Sequence, residues 1–169
     1  IGHVTGNFLL QDKWVLFTVN GSYILDIPTG KLSRYSELNN KNGAVTRDNK
    51  KNVWVHNYTG NLWYVDITTG KIKPFQFLSS KHIGYIDVER YSLVHDSRDI
   101  LWISTYGNGL YAYELSTGNL QHFTFEVNQS SHINSNYLQF VMEDRSGGIW
   151  VSSEFSGLSH LEILNKGTQ

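Results

Sequence analysis

One pattern returns four times along this chain, and internal repetition of this kind limits the possible folds more than any other property. It is anchored on Trp14, Trp54, Trp102 and Trp150, at spacings of 40, 48 and 48 residues. The residue after each tryptophan is Val15, Val55, Ile103 or Val151. Seven positions after it come Gly21, Asn61, Gly109 and Gly157, and twelve after it Asp26, Asp66, Glu114 and Glu162. Thr-Gly pairs end at Gly30, Gly70 and Gly118, and aromatics follow at Tyr35, Phe75 and Phe123. Six residues before the tryptophan stand Asp48, Asp96 and Asp144, where the first repeat has Phe8.

Each recurring residue has a physical reading. Glycine or asparagine at one shared position predicts a positive φ, which these residues tolerate best. The Thr-Gly pairs and the Asp-Arg-Ser-Gly of residues 144–147 are turn chemistry. Between turns lie short runs, such as 100–105 and 109–115, rich in valine, isoleucine, tyrosine and tryptophan. They are too short for helices and read as strands, about four per repeat. Four strands in roughly 40–45 residues is the size of a propeller blade. The expected fold is therefore all-β, a partial β-propeller of about four blades with four antiparallel strands each. The blades are placed at residues 1–36, 37–78, 79–125 and 126–169, the last lacking its outer strand. Such a chain reads as an open arc, with sheet edges it does not cover itself.

Composition narrows the function classes. Only 17% of residues are charged, 14% are aromatic, and the net charge is −1 with no basic stripe for nucleic acid. No apolar run reaches membrane-spanning length. Cysteine is absent, which removes thiolate metal sites and cysteine nucleophiles. The sequence starts at Ile1 without a signal peptide, and it reads as a segment of something longer.

The recurring tryptophans read as packing between blades rather than as sugar platforms, because they fall in a mid-blade strand. The recurring acids Asp26, Asp66, Glu114 and Glu162 read as turn caps. A glycosidase needs two differently tuned carboxylates, and no pair stands outside the repeat. Seven scattered histidines lack metal-ligand spacing, and no cofactor motif is present. Binding residues are expected where the repeat stops repeating, in the loops after the tryptophan strand and in the links between blades. The candidates are Tyr58, Tyr106, Asn108, Glu154 and Phe155, with His82, Tyr85, Arg90, His132 and Tyr137 from the links. Aromatic faces beside amide, acidic and basic groups suit sugar stacking and hydrogen bonding. The same residues would serve equally as solvent-facing tips or as contacts to neighbouring blades.

The segments from Asp144 to Val151 and from Asp96 to Leu110 resemble the two-component regulator propeller repeat. Its pattern is an Asp, a Gly three on, Leu-Trp-Ile-Gly-Thr, then Gly-Gly-Leu and a tyrosine-rich strand. Asp99 and Lys51 stand where that pattern has its turn glycine, and Ser104 and Ser152 replace the glycine after the tryptophan strand. The resemblance implies the periplasmic sensor region of a hybrid two-component histidine kinase that responds to polysaccharide-derived oligosaccharides. It implies a non-catalytic module whose partners are an oligosaccharide, neighbouring blades of the parent chain and, in the parent receptor, a second protomer of a homodimer. The alternative is a propeller scaffold for protein–protein assembly without a small ligand.

Overall fold

The computed structural model describes residues 3–18, 20–35, 43–57, 62–75, 92–128, 130 and 132–162. All regular elements among them are strands. The chain divides into two compact units, Ile1–Val88 and Glu89–Gln169.

The first unit holds two antiparallel sheets. One is built from β1 (Val4–Leu10), β2 (Lys13–Thr18), β3 (Gly21–Asp26) and β4 (Leu32–Arg34), in that spatial order. The other is built from β5 (Gly43–Arg47), β6 (Val53–Asn57), β7 (Leu62–Val65) and β8 (Ile72–Phe75). The second unit holds β9 (Leu93–His95), β10 (Ile100–Ser104), β11 (Leu110–Glu114) and β12 (Leu120–Phe123), then β13 (Leu138–Glu143), β14 (Ile149–Ser153) and β15 (Leu158–Leu161). Within each sheet, strands adjacent in sequence are adjacent in space, giving sheets of four, four, four and three strands among the described residues. This is the meander of β-propeller blades, as the repeat predicts.

Two turns recur and explain the repeating acids. In the turn before the tryptophan strand, one carboxylate oxygen of Asp48, Asp96 or Asp144 accepts backbone N–H groups two and four residues on, at 2.8 to 3.0 Å. The other oxygen accepts the indole N–H of Trp54, Trp102 or Trp150, at 3.3, 2.8 and 2.7 Å. One side chain thus closes the turn and fixes the tryptophan rotamer, two jobs of which the sequence showed only the first. The Ser146 hydroxyl, which also donates to Asp144 at 2.6 Å, and then the Trp150 indole and the backbone donors hold the Asp144 carboxyl well below the usual carboxylate range. The turn needs a left-handed residue, which is Gly147 (φ 84°) in the fourth repeat but Lys51 (φ 65°) and Asp99 (φ 67°) in the second and third. In the later turn, the carbonyls of Asp26, Asp66 and Glu114 each accept the N–H of the Thr-Gly glycine at 2.8 Å. Their side chains bond the preceding threonine, so these acids are caps.

The first sheet departs from the register that the tryptophans suggest. Trp54, Trp102 and Trp150 pair with Tyr64, Ala112 and His160, each ten residues on. Trp14 pairs instead with Leu25, and it is Val15 that meets Ile24. A shift of one residue moves a strand's side chains to the opposite face. Trp14 is accordingly 37% exposed, whereas Trp54 and Trp102 are 4% and 1% exposed and Val15 is fully buried. Only three tryptophans share the structural position, and Trp14 is not a core residue. The cause is local: β2 and β3 pair up to Thr18 and Gly21 with two residues between them, whereas the later sheets leave five residues between His56 and Leu62, Ser104 and Leu110, and Ser152 and Leu158.

Each unit encloses its own core. In the first, Phe8, Val15 and Phe17 pack with Val53, Val55 and Val65. In the second, Trp102, Leu110 and Ala112 pack with Leu138, Val141, Ile149, Val151 and Leu161. Each such aliphatic side chain, fully buried, stabilises the fold by about 1.5–3 kcal/mol.

Candidate functional site

The loop between β10 and β11 is closed by its own hydrogen bonds. Thr105 closes it by donating both its N–H (3.1 Å) and its hydroxyl (2.7 Å) to the carbonyl of Gly109. Gly109 has φ 74°, and a Cβ there would lie 2.2 Å from the carbonyl oxygen of Phe123. Only glycine fits both conditions.

The segment before β13 is stitched onto this loop. The carbonyl of Asn136 accepts the N–H groups of Gly107 (2.8 Å) and Gly109 (3.0 Å). Its side-chain amide closes a reciprocal pair with the Phe125 backbone, at 2.7 and 2.9 Å. Asn134 works similarly, donating to the carbonyls of Ser156 (2.5 Å) and Leu158 (3.3 Å). Both asparagines are therefore latches for backbone, which the sequence did not distinguish from ligand-facing groups.

These latches bring three candidates together. Tyr106 and Tyr137 form an isolated antiparallel bridge, and their rings meet edge to face with centroids 5.2 Å apart. The Tyr106 hydroxyl donates to the Glu154 carboxylate, while the Glu154 N–H donates to the Tyr137 carbonyl at 3.0 Å. Tyr106 and Glu154 hold the same repeat position, four after the tryptophan, in successive repeats. Tyr137 is 48% exposed, and Phe155, next along the chain, is 80% exposed. The cluster thus offers two ring surfaces to solvent beside a carboxylate.

Two other candidates lie apart from it. Asn108 donates to the Tyr111 hydroxyl and accepts His122 Nε2 on its carbonyl at 2.7 Å, and the Tyr111 and His122 rings stack at 4.1 Å. Burial raises the Tyr111 hydroxyl above the usual phenol range, against the smaller opposing effect of the Asn108 bond. His132 is exposed and meets Phe123 edge to face at 5.8 Å. Tyr58, His82, Tyr85 and Arg90 lie outside the described residues. The His122–Tyr111 stack was not foreseen; its signal was the cross-strand pairing of the two residues, visible only once the register is known.

Chemically, the Tyr106–Tyr137–Glu154 cluster can stack against a ring and accept hydrogen bonds. Among the described residues, no group of three or more histidines and carboxylates could hold a metal ion. No helix among them is long and apolar enough to cross a membrane.

No protein-family model and no curated protein matches the chain. Solved structures do. The extracellular domain of BT3049 from B. thetaiotaomicron, described as a hybrid two-component system, aligns at 17% identity and a TM-score of 0.56, covering 99% of this chain and 29% of that one. PorZ, a surface component of the type-IX secretion system of Porphyromonas gingivalis, aligns at 15% identity and a TM-score of 0.65, covering 94% and 24%. The WD40 β-propeller domain of Doa1 aligns at 11% identity and a TM-score of 0.64, covering 96% and 51%. The chain therefore spans about a quarter of the length of the two bacterial structures and half of the third. Strand order, repeat length and these likenesses agree on one architecture: the chain has the fold of part of a β-propeller.

Proposed function

We propose that this chain belongs to the extracytoplasmic, non-catalytic sensing module of a two-component signalling protein, and that its ligand is an oligosaccharide released from a polysaccharide. The observation that carries this reading is the Tyr106–Tyr137–Glu154 cluster with Phe155 beside it, assembled from segments where the repeat stops repeating. Sugar rings present C–H faces that pack on aromatic rings, and their hydroxyls donate to carboxylates. The resemblance of the repeat and the likeness to a two-component ectodomain support the signalling role. Binding would act by favouring one of two arrangements of the receptor, which requires unequal affinity for the two.

The test is calorimetric titration of the chain with a panel of plant and microbial oligosaccharides, repeated on Phe155→Ala and Tyr137→Ala. A binding sugar should lose about tenfold in affinity on removal of either ring, the equivalent of one stacking contact. Sugar binding that both variants leave unchanged would place the site elsewhere and overturn the assignment. The alternative, a scaffold for protein assembly, is favoured by the exposed apolar residues Phe140, Met142 and Leu158.

A further inference from the structure

The fifth tryptophan, Trp63, lies in the first unit, on the face of the second sheet that packs against the first. Cross-strand pairing sets it in the row Val45–Val55–Trp63–Pro74, with Val53–Val65–Ile72 alongside. Burial falls outward along both rows. Val55 is 2% exposed and Val65 is fully buried, whereas Trp63 and Ile72 are half-buried and Pro74 is exposed. On the first sheet, the row Phe8–Val15–Ile24–Ser33 ends on β4 in the small, exposed Ser33, so the inner end of the contact is filled and the outer end is not.

What remains is a groove of about 510 Å³ lined by Trp63, Gly70, Lys71, Ile72 and Pro74. That volume falls in the range of about 300–1,000 Å³ usual for small-ligand sites. The third sheet shows the alternative. Its equivalent cross-strand pair is Tyr111–His122, whose rings stack at 4.1 Å and leave Tyr111 only 4% exposed. In the second sheet a proline replaces the covering imidazole, and the indole keeps an open side.

Lys71 gives the groove its charge. Its backbone is fixed, the N–H donating to Thr69 Oγ1 at 3.3 Å and the carbonyl accepting the Asp66 N–H at 3.0 Å. Its ammonium makes no ion pair with another of the described residues. Asp66 feels that charge, but its carboxylate is committed to the N–H groups of Thr68 (2.9 Å) and Thr69 (3.0 Å). The Thr69 bond does most to hold the Asp66 carboxyl below its ordinary value, and Lys71 does least. A peptide strand is a poor occupant, because β8 is an edge strand and a proline there turns its nitrogen outward, leaving no donor.

We propose that this groove binds a small ring-bearing carboxylate, its ring on Trp63 and Pro74 and its anion at the Lys71 ammonium. An indole packs a ring face well, and an ammonium donates charge-assisted hydrogen bonds to a carboxylate. A uronic sugar and an aromatic acid share this chemistry. None of the lining residues belongs to the Tyr106 cluster, and the inference does not rest on the function proposed above.

Titration of the isotope-labelled full chain, followed by nuclear magnetic resonance, tests it. The probes are digalacturonate and benzoate, each beside its uncharged counterpart, galactobiose and benzyl alcohol. The Trp63 indole N–H signal, identified by its loss in Trp63→Leu, should shift saturably with one of the acids at millimolar concentration, and that acid names the source. Its uncharged counterpart should bind at least about threefold more weakly, and Lys71→Gln should cost the acid a similar factor. Trp63→Leu, read from the Gly70 and Ile72 amides, should lose about tenfold. No shift with either acid overturns the proposal. So does equal binding of acid and uncharged counterpart, or wild-type affinity in either variant. Lys71 is exposed, so Lys71→Gln decides the matter if Trp63→Leu fails to fold. Phe155→Ala should bind the acid as the wild type does, which separates this site from the Tyr106 cluster.

Discussion

Replacing Asp96 with alanine removes one acceptor from several donors at once. Its carboxylate takes the N–H groups of Arg98 and Ile100, both at 2.9 Å, and the indole N–H of Trp102 at 2.8 Å. It also takes the Arg98 guanidinium at 2.7 and 3.0 Å. That guanidinium can turn to water, because its side chain is 21% exposed, whereas Trp102 is 1% exposed and cannot. A buried donor left without an acceptor costs about 1–3 kcal/mol. With the indole and two partly buried amides stranded, Asp96→Ala should destabilise the fold by about 3–5 kcal/mol. Trp102→Phe removes only the indole donor and keeps an aromatic ring in place. A cycle of wild type, both single variants and the double variant then isolates the Asp96–Trp102 pair, with an expected coupling of about 1.5–3 kcal/mol for a bond to a charged group. Urea unfolding followed by far-UV circular dichroism reads every corner, since fluorescence would be altered by one of the substitutions. Asp48→Ala should cost less, because its indole bond is stretched to 3.3 Å. A coupling below about 0.5 kcal/mol, or an Asp48 variant weaker than the Asp96 one, would refute the view that this bond anchors the repeat.

Three further outcomes are expected. His56 is buried, and burial lowers its pKa from 6.5 to about 4, so the folded chain keeps it neutral while the unfolded chain protonates it below pH 6.5. The unfolded state therefore binds more protons between about pH 4 and 6.5. Stability is complete above that window and falls by up to about 3 kcal/mol toward pH 4. His56→Leu should flatten this slope in urea midpoints measured at several pH values, and an unchanged slope would assign the titration to another group. Gly109→Ala must adopt φ 74° and place its Cβ 2.2 Å from a backbone oxygen, so it should lose at least about 2 kcal/mol in chemical denaturation. Lys51→Gly relieves a left-handed residue (φ 65°) at an exposed turn and should raise the urea midpoint, by about 0.5–1 kcal/mol after the entropic cost of glycine. A lower midpoint would contradict it.

Much of the architecture was legible in the sequence because turn residues recur at fixed distances from tryptophan. The runs 100–105 and 109–115, read from β-branched and aromatic residues between turns, fall within one residue of β10 and β11. Trp14 shows where this stops. Its spacing to later landmarks such as Gly30 matches the other repeats, but the register of a hairpin is set by the connection between its two strands. A two-residue connection between paired Thr18 and Gly21, in place of five residues in the later sheets, shifts the pairing by a residue, and a spacing pattern does not see pairing. The candidate site was legible only as a region. Of the ten candidates, Tyr106, Tyr137 and Glu154 are joined, whereas Asn108 turns to Tyr111 and His122. Whether an asparagine faces a ligand or latches a backbone depends on which carbonyl lies within 3 Å of it, a long-range fact that composition does not carry.

The order of strands within each sheet has a kinetic consequence. Every pairing joins strands that follow one another in the chain, so no sheet waits for a distant segment to arrive. Closing such short connections costs little entropy, and proteins whose contacts are near in sequence cross lower folding barriers. The Asp–Trp bond spans only six residues and adds a local anchor to the hairpin that starts each of the last three repeats. A growing polypeptide can therefore complete one sheet while the next is still being synthesised. Within each unit, the apolar face of the first completed sheet can then serve as the template on which the second condenses.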